Sequence, residues 1–345
     1  MKKFISILMI AAFILAACSK EKLHEQSLNE TPDVFSEINL VTLTDGSKST
    51  GVTLLEFTSV EHYENTIAAL EALVEQHEDS FLSTWSNLSD DALNDKEEEL
   101  GYFEYQPLLD FENAYSIPFS MRKAYEVAEA EWLDNEDLDL DTDPSRIYSF
   151  NMAEMTLLNA EGEVKIGDVL LKLTNKGFVK IDSLDVATLI RIRDGDLSAL
   201  LEPTVTTNID FDDGMKSGDD CTWWKGKDYW DPYQSKKKVK LHVHFHSYPW
   251  KGVASAKITS YKKKGSKWKK YKMDLGVALQ YYFRDKDCNL LVAQGWCTWK
   301  YKKAKSIEKT CASWGSFPQY RAEKNQSVFG YFKYAGNNSI RVLTW

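Results

Sequence analysis

The sequence changes its charge sharply near residue 213, and this division constrains the fold more than any other feature. Residues 1–213 hold 15 lysines and arginines against 43 aspartates and glutamates, whereas residues 214–345 hold 27 against 9. At about 100–200 residues per domain, a chain of this length predicts two domains. We therefore expect an acidic domain over residues 52–200, a linker over residues 201–220 and a basic domain over residues 221–345. The basic domain is also rich in aromatic residues, because nine of the eleven tryptophans follow residue 220.

The N-terminus has the pattern of an export signal. Lys2 and Lys3 precede an apolar stretch, residues 4–17, which is shorter than the ~20 residues that a membrane-spanning helix needs. The stretch closes with Leu15-Ala16-Ala17-Cys18, which resembles the lipobox of bacterial lipoproteins. This resemblance implies that residues 1–17 are a signal peptide, that Cys18 carries lipid and that residues 18–51 form a tether. The alternative is an ordinary signal peptide with a chance cysteine at the cut.

The residue after the cysteine bears on location. Ser19 follows Cys18, in place of an aspartate of the kind that resembles an inner-membrane retention signal. Since two or more acyl chains anchor a protein durably, we expect stable attachment to a membrane through lipid on Cys18. The pattern favours the outer membrane and leaves open whether the protein faces the periplasm or the cell surface.

The acidic half shows both helical and strand-like spacing of apolar residues. Residues 53–57 predict a short strand, and Thr58-Ser59-Val60-Glu61 resembles a capping box that begins a helix. A second helix is expected over Phe119–Leu133. Residues 155–158 and 164–173 predict strands around a turn at residues 159–162.

The segment around this turn is similar to one that recurs in other proteins. The run Leu157-Leu158-Asn159-Ala160-Glu161-Gly162-Glu163-Val164-Lys165-Ile166-Gly167-Asp168 is similar to a recurring segment in uncharacterised lipoproteins of the Bacteroides group. Those proteins likewise place a lipobox, a tether and an acidic helical region before it. The resemblance covers about residues 1–175 and implies location and organisation but no activity.

The basic half alternates apolar and polar residues in several runs, which is typical of β-strands. Strands are expected over residues 236–245, 253–261, 271–283, 290–299, 327–334 and 339–345. Such a series favours an antiparallel sandwich or a barrel. The predicted fold class is therefore α+β, with a mainly helical acidic part that includes a small hairpin and a β-rich basic part.

Four cysteines, Cys221, Cys288, Cys297 and Cys311, lie in the basic half. An even number in an exported chain indicates disulfides, and the absence of a Cys-x-x-Cys pair disfavours zinc. A turn centred on Ala304 would place Cys297 opposite Cys311 on neighbouring strands, close enough for a bridge. Cys221 would then pair with Cys288.

Three histidines, His242, His244 and His246, alternate along one predicted strand and so share a face. His242 and His244 could converge on a metal, although the outer pair would be ~13 Å apart at ~3.3 Å per residue. A metal-dependent hydrolase that uses these two residues is one hypothesis. The other is a polar strand face in contact with solvent, and no cofactor is predicted.

A run of lysines and aromatic residues spans one predicted hairpin. Its candidate binding residues are Lys262, Lys263, Lys264, Lys267, Trp268, Lys269, Lys270 and Tyr271. Such a surface attracts polyanions and stacks on sugar rings or bases. The tryptophans that would extend it are Trp223, Trp224, Trp230, Trp250, Trp296 and Trp299. The alternative is that the basic half docks on the acidic half. Location makes nucleic acid an unfavourable partner.

Motifs of catalysis do not point to an enzyme. The sequence contains no Gly-x-Ser-x-Gly elbow, no His-Glu-x-x-His and no glycine-rich phosphate loop. We therefore expect a non-catalytic envelope or surface binding protein that meets an anionic glycan or another envelope component.

Overall fold

The computed structural model describes residues 33–44, 51–135, 138–148, 150–182, 184–209, 221–222, 224–285, 287–315, 320–323, 326–335 and 339–344. Cys18 and the predicted signal peptide lie outside these residues. The chain divides into two compact units, Met1–Ile38 and Asn39–Trp345. The described part of the first unit contains a short 3-10 helix, Asp33–Phe35. No helix among the described residues is long and apolar enough to cross a membrane.

Among the described residues of the second unit, the α-helices all lie in the acidic half. They are α1 (Val60–Thr84), α2 (Asp90–Leu100), α3 (Gln106–Ala114), α4 (Met121–Leu133), α5 (Met152–Leu157) and α6 (Val186–Arg193). The sequence predicted α1 and α4 but not the four shorter helices.

The start of α1 differs by one residue from the predicted capping box. Ser59, not Thr58, is the N-cap, and its hydroxyl accepts a hydrogen bond from the backbone N–H of His62. The Thr58 hydroxyl instead lies 3.1 Å from Nδ1 of His62. The prediction was wrong in register, and the observed cap is the residue type that N-caps favour, since serine ranks above threonine there.

A six-stranded sheet belongs to the acidic half. Its strands, in spatial order, are β1 (Asn39–Thr44), β2 (Gly51–Phe57), β3 (Glu163–Ile166), β4 (Val169–Thr174), β5 (Gly177–Asp182) and β6 (Val205–Thr207). All neighbours are antiparallel except β2 and β3. Residues that the sequence assigned to the tether form β1 and the start of β2, and residues assigned to the linker form β6.

The predicted hairpin around residues 159–162 was wrong in both of its strands, because the first is largely a helix and the second, residues 164–173, is divided into β3 and β4. Residues 152–157 form α5, because the Asn151 side chain accepts from the N–H of Glu154 and caps a helix there. The turn itself exists, since the Gly162 N–H donates to the Asn159 carbonyl. It joins α5 to β3, and the hairpin in this segment is β3–β4, which turns at residues 167–168.

The basic half forms two larger antiparallel sheets and a two-stranded ribbon. The five-stranded sheet contains β8 (Trp224–Gln234), β9 (Lys237–Ser247), β10 (Lys251–Lys264), β11 (Lys267–Lys270) and β14 (Ser306–Trp314). The four-stranded sheet has the order β13 (Leu291–Ala304), β12 (Met273–Arg284), β16 (Val328–Tyr334) and β17 (Arg341–Thr344). The ribbon pairs β7 (Cys221–Thr222) with β15 (Ala322–Glu323). The six predicted strands are all present.

The two larger sheets enclose one apolar core. Leu241, Val243 and Phe245 from β9 belong to the same buried cluster as Val277 and Leu279 from β12. Facing sheets that share such a core form a sandwich, because alternate residues of each strand point inward. The predicted α+β class is confirmed, with antiparallel sheets in the C-terminal part.

The structure contains two disulfides, Cys221–Cys288 and Cys297–Cys311, with Cα atoms 6.1 Å and 6.5 Å apart. These are the pairs that the sequence favoured, but the geometry behind the second was wrong. β13 pairs with β12 and β14 pairs with β10, so the chain changes sheet near Ala304 rather than forming a hairpin. The Cys297–Cys311 bond therefore joins the two sheets of the sandwich.

Candidate functional site

The outer face of the five-stranded sheet carries the histidine row. His242, His244 and His246 are 5%, 5% and 2% exposed, with ring centroids 4.8 Å and 4.4 Å apart. Residues of the acidic half cover them, since Phe150 contacts His246 edge-on at 5.4 Å and Tyr125 and Met152 lie beside His242. The expectation of a solvent-facing row was therefore wrong, because a segment distant in sequence lies over it.

Two rings of the row lie near carboxylates. His242 Nδ1 donates to Asp228 Oδ1 at 2.8 Å, and His244 Nε2 is 3.8 Å from Glu308. Burial lowers the pKa of His244 and His246 well below the ordinary value, which keeps both rings neutral near pH 7. Among the described residues, no group of three or more His, Cys, Asp or Glu side chains is arranged to hold a metal ion.

A small cavity lies beside His242. Its volume is about 20 Å³, and it is lined by Tyr105, Tyr125, Ser145, Met152, Lys240, His242, Lys257, Thr259, Lys270 and Ser306. Nε2 of His242 is buried and has no hydrogen-bond partner among the described residues. A space of this size holds about one water molecule, so a substrate does not fit next to His242.

Two carboxylates of the acidic half also form hydrogen bonds with residues of the basic half near the turn between β9 and β10. Glu154 accepts hydrogen bonds from the hydroxyls of Tyr63 (3.2 Å) and Tyr248 (2.9 Å), and burial raises its pKa to about 7. Glu64 accepts from Trp250 Nε1 at 2.8 Å and from Lys251 Nζ at 2.6 Å. The sheet and the helices are thus joined by polar groups as well as by apolar packing.

The lysine hairpin, residues 262–271 of β10 and β11, meets carboxylates of the acidic half at nearly every lysine. The ion pairs are Lys262–Asp91 (2.6 Å), Lys264–Glu98 (2.9 Å), Lys267–Asp134 (2.8 Å), Lys269–Glu98 (2.8 Å) and Lys270–Glu129 (2.6 Å). The Tyr271 hydroxyl also donates to Asp91 at 2.7 Å.

The remaining residues of the hairpin contact each other. Lys263 Nζ lies 5.8 Å from the centre of the Trp268 ring. Two lysines beside Glu98 lower the pKa of that carboxyl to about 2. These contacts are those expected if the two halves dock on each other, and a polyanion site on the hairpin stays a prediction.

The outer face of the four-stranded sheet is built differently. We call it the aromatic face and define it by Gln280, Tyr282, Trp296, Trp299, Tyr301, Phe329, Tyr331 and Lys333. Those on β12 and β16 alternate with core residues, so they point away from the sandwich interior. Trp296 and Tyr301 lie opposite Gln280 and Gly276 in the register, and so share this face. Trp296 is 48% exposed and Tyr301 is 58% exposed.

The rings of the aromatic face support one another. Trp299 and Tyr301 stack with centroids 5.3 Å apart and planes 14° apart, and Lys333 Nζ lies 5.1 Å and 5.9 Å from their centres. Gly276 lies under Tyr301, because a Cβ at that position would be 2.5 Å from the Tyr301 ring. The glycine therefore lets the ring lie flat on the sheet.

A second pair of rings lies further along β13. Trp296 contacts Tyr331 edge-on at 5.0 Å. The Tyr331 hydroxyl donates to Gln280 Oε1 at 3.0 Å, which holds the amide between the rings. Of the tryptophans that were predicted to extend the lysine hairpin, Trp223 lies outside the described residues. The prediction was wrong for Trp296 and Trp299, because they lie on β13, which belongs to the other sheet of the sandwich.

Comparison with known proteins yields little beyond this geometry. No protein-family model matches the chain, and no curated protein matches it. A solved structure that does match is that of a DUF4848 family protein from Bacteroides thetaiotaomicron, with 15% sequence identity and a TM-score of 0.19. The match covers 90% of this chain and 100% of that chain.

Proposed function

We propose that this protein is a non-catalytic, lipid-anchored protein of the cell envelope that binds a glycan on its aromatic face. The observation that carries the proposal is the exposure of Trp296 and Tyr301 beside further rings on one sheet. Large exposed apolar patches on a folded protein mark interaction sites more often than chance, because they are otherwise an aggregation hazard.

The chemistry of the face suits a sugar chain. Flat aromatic rings offer an apolar surface to the C–H faces of sugar rings, while their polar edges and nearby groups meet hydroxyls. Gln280 and Lys333 supply such groups between and above the rings. Nucleobases stack on aromatic rings as well, but an exported protein meets glycans of the envelope first.

The alternative of a hydrolase that uses His242 and His244 has less support. His242 adjoins a cavity of only about 20 Å³, and residues of the acidic half cover the row. Access of a substrate would require the acidic half to separate from the sheet.

The test is a binding screen of the mature chain against envelope polysaccharides, followed by substitution. Trp296→Ala should weaken binding about 30-fold, as expected for a binding hot spot, with little change in melting temperature. Trp314→Ala is the matched control, because Trp314 is 59% exposed but lies on β14 of the other sheet. Failure of every polysaccharide to bind, or equal losses in both variants, would refute the proposal.

The anchor has its own test. Cys18→Ala should abolish labelling by a fatty-acid probe and leave the protein uncleaved or released. Continued partition of the cleaved variant into detergent would show that lipid on Cys18 is not the anchor.

A further inference from the structure

Lys333 differs from the lysines of the hairpin in its surroundings. Its Nζ lies over the rings of Trp299 and Tyr301, and no carboxylate among the described residues lies within ion-pair distance of it. Lys264 and Lys269, by contrast, share the carboxylate of Glu98. The aromatic face therefore presents a cation that has no carboxylate of the described residues beside it.

The rest of the aromatic face leaves that charge available. Gln280 is neutral, and the other members are aromatic. Asp274 lies on the same side of β12, beyond Gly276, and stands opposite Lys303 in the strand register. Lys303 in turn pairs with Asp90 at 2.6 Å. An ammonium held over aromatic rings keeps its charge and still has donors free for an anion.

We propose that the glycan bound by the aromatic face is acidic, with the anionic group of one sugar placed at Lys333 and neighbouring sugar rings stacked on the aromatic residues. This inference rests on the proposed function. The two ring pairs, Trp299–Tyr301 and Trp296–Tyr331, are separated by up to ~16 Å along β13 at ~3.3 Å per residue, which leaves room for an oligosaccharide rather than one sugar.

Charge complementarity determines which glycan the aromatic face prefers. A charge-assisted hydrogen bond to Lys333 is stronger than one from a hydroxyl to a neutral partner, so an acidic sugar gains where a neutral sugar does not. A carboxylate and a sulfate both satisfy the ammonium. The shared chemistry is therefore an anion on a sugar ring, and the ligands chosen for the test distinguish its two sources.

The experiment compares three polymers on the mature chain: polygalacturonate, the same polymer after carboxyl reduction, and dextran sulfate. Wild-type protein should bind polygalacturonate about tenfold more tightly than the reduced polymer. Lys333→Met keeps the apolar stem over the rings but removes the charge, and it should abolish this preference while binding to the reduced polymer remains. Tighter binding of dextran sulfate than of polygalacturonate would identify sulfate as the source of the anion.

The matched control is Lys263→Met, because Lys263 also lies over a tryptophan and has no carboxylate partner among the described residues. Its preference for the acidic polymers should equal that of wild type. If Lys263→Met loses the preference and Lys333→Met keeps it, the acidic sugar binds at the hairpin and the inference is wrong.

The two proposals fail in different ways. Equal affinity for acidic and reduced polymers, with a strong effect of Trp296→Ala, would overturn the acidic ligand and leave the glycan site standing. Binding that is indifferent to Trp296→Ala would overturn both.

Discussion

The lysine hairpin and the aromatic face combine the same residue types within one half of the chain, yet their environments are opposite. The hairpin meets Asp91, Glu98 and Glu129 of the acidic half, so most of its charge is satisfied inside the molecule. On the aromatic face Trp296 and Tyr301 are exposed, and no carboxylate among the described residues lies within ion-pair distance of Lys333. A basic, aromatic composition therefore describes both a docking surface and a binding surface, and only the partner distinguishes them.

The largest change in stability should come from a substitution at the contact between the acidic half and the five-stranded sheet. Lys240 Nζ donates to Asp143 Oδ2 at 2.5 Å, with both side chains almost wholly buried. Lys240→Ala leaves Asp143 as a buried, unpaired charge and should lower the free energy of unfolding by about 3–5 kcal/mol, measured by urea denaturation.

The control for that loss is an exposed pair of the hairpin. Lys267 and Asp134 are 59% and 63% exposed, and Lys267→Ala should cost less than about 1 kcal/mol. Equal costs for the two variants would mean that the buried pair does not hold the sheet to the helices.

The sequence predicted which residues share a face of a strand, but it did not predict which residues cover that face. Alternation correctly placed His242, His244 and His246 on one face of β9, opposite the core. It could not show that Phe150 lies over that face, since alternation is a local property of one strand. Lys262 and Asp91 are likewise 171 residues apart in sequence, so their contact is set by tertiary packing.

The local nature of sequence patterns also explains which parts of the aromatic face could be predicted. Tyr301 and Lys333 lie on different strands and meet only because both flank Gly276 in the register of the four-stranded sheet. The signal available in the sequence was the pair Trp296 and Trp299 within one predicted strand, with Tyr301 two residues beyond its predicted end. Its assignment to a surface required knowledge of which sheet β13 joins.

A middle-sized effect concerns the pH dependence of stability. His244 and His246 have a lowered pKa in the fold, so the unfolded chain binds more protons below pH ~6.5 and their contribution to stability is lost as pH falls. Glu154 has a pKa raised to about 7, so the fold binds more protons between pH ~4.5 and 7 and this contribution is lost as pH rises.

Because the histidines and Glu154 change stability with pH in opposite directions, substitutions at the two sites should have opposite outcomes. Each histidine contributes up to about 1.4 kcal/mol per pH unit below pH 6.5, and Glu154 opposes them by a similar amount. Between pH 6.5 and 5.5, His244→Leu should therefore reduce the loss of stability, whereas Glu154→Gln should increase it. Urea denaturation at each pH measures both, and shifts of the same sign in the two variants would contradict the protonation states assigned here.

The variant with the smallest expected effect on stability tests the difference between the two surfaces directly. It shows whether the hairpin binds polyanions once its partner carboxylates are neutralised. The variant neutralises three exposed carboxylates, and its substitutions are Asp91→Asn, Glu98→Gln and Asp134→Asn. Exposed pairs contribute little, so each substitution should change the free energy of unfolding by less than about 1 kcal/mol. Freed lysines should then give the full chain a new affinity for polygalacturonate that falls steeply with salt, because exposed charges are screened beyond ~8–10 Å.

The measurement needs a background and a control that isolate the hairpin. All proteins carry Lys333→Met, so that the aromatic face does not contribute its own preference for acidic sugars. The control removes the same number of charges at exposed carboxylates away from the hairpin, and its substitutions are Glu61→Gln, Glu161→Gln and Asp168→Asn. Binding that rises equally in both variants would reflect net charge alone. A rise confined to the first variant would show that the acidic half occupies a surface that is chemically able to bind polyanions, and that docking is what distinguishes the hairpin from the aromatic face.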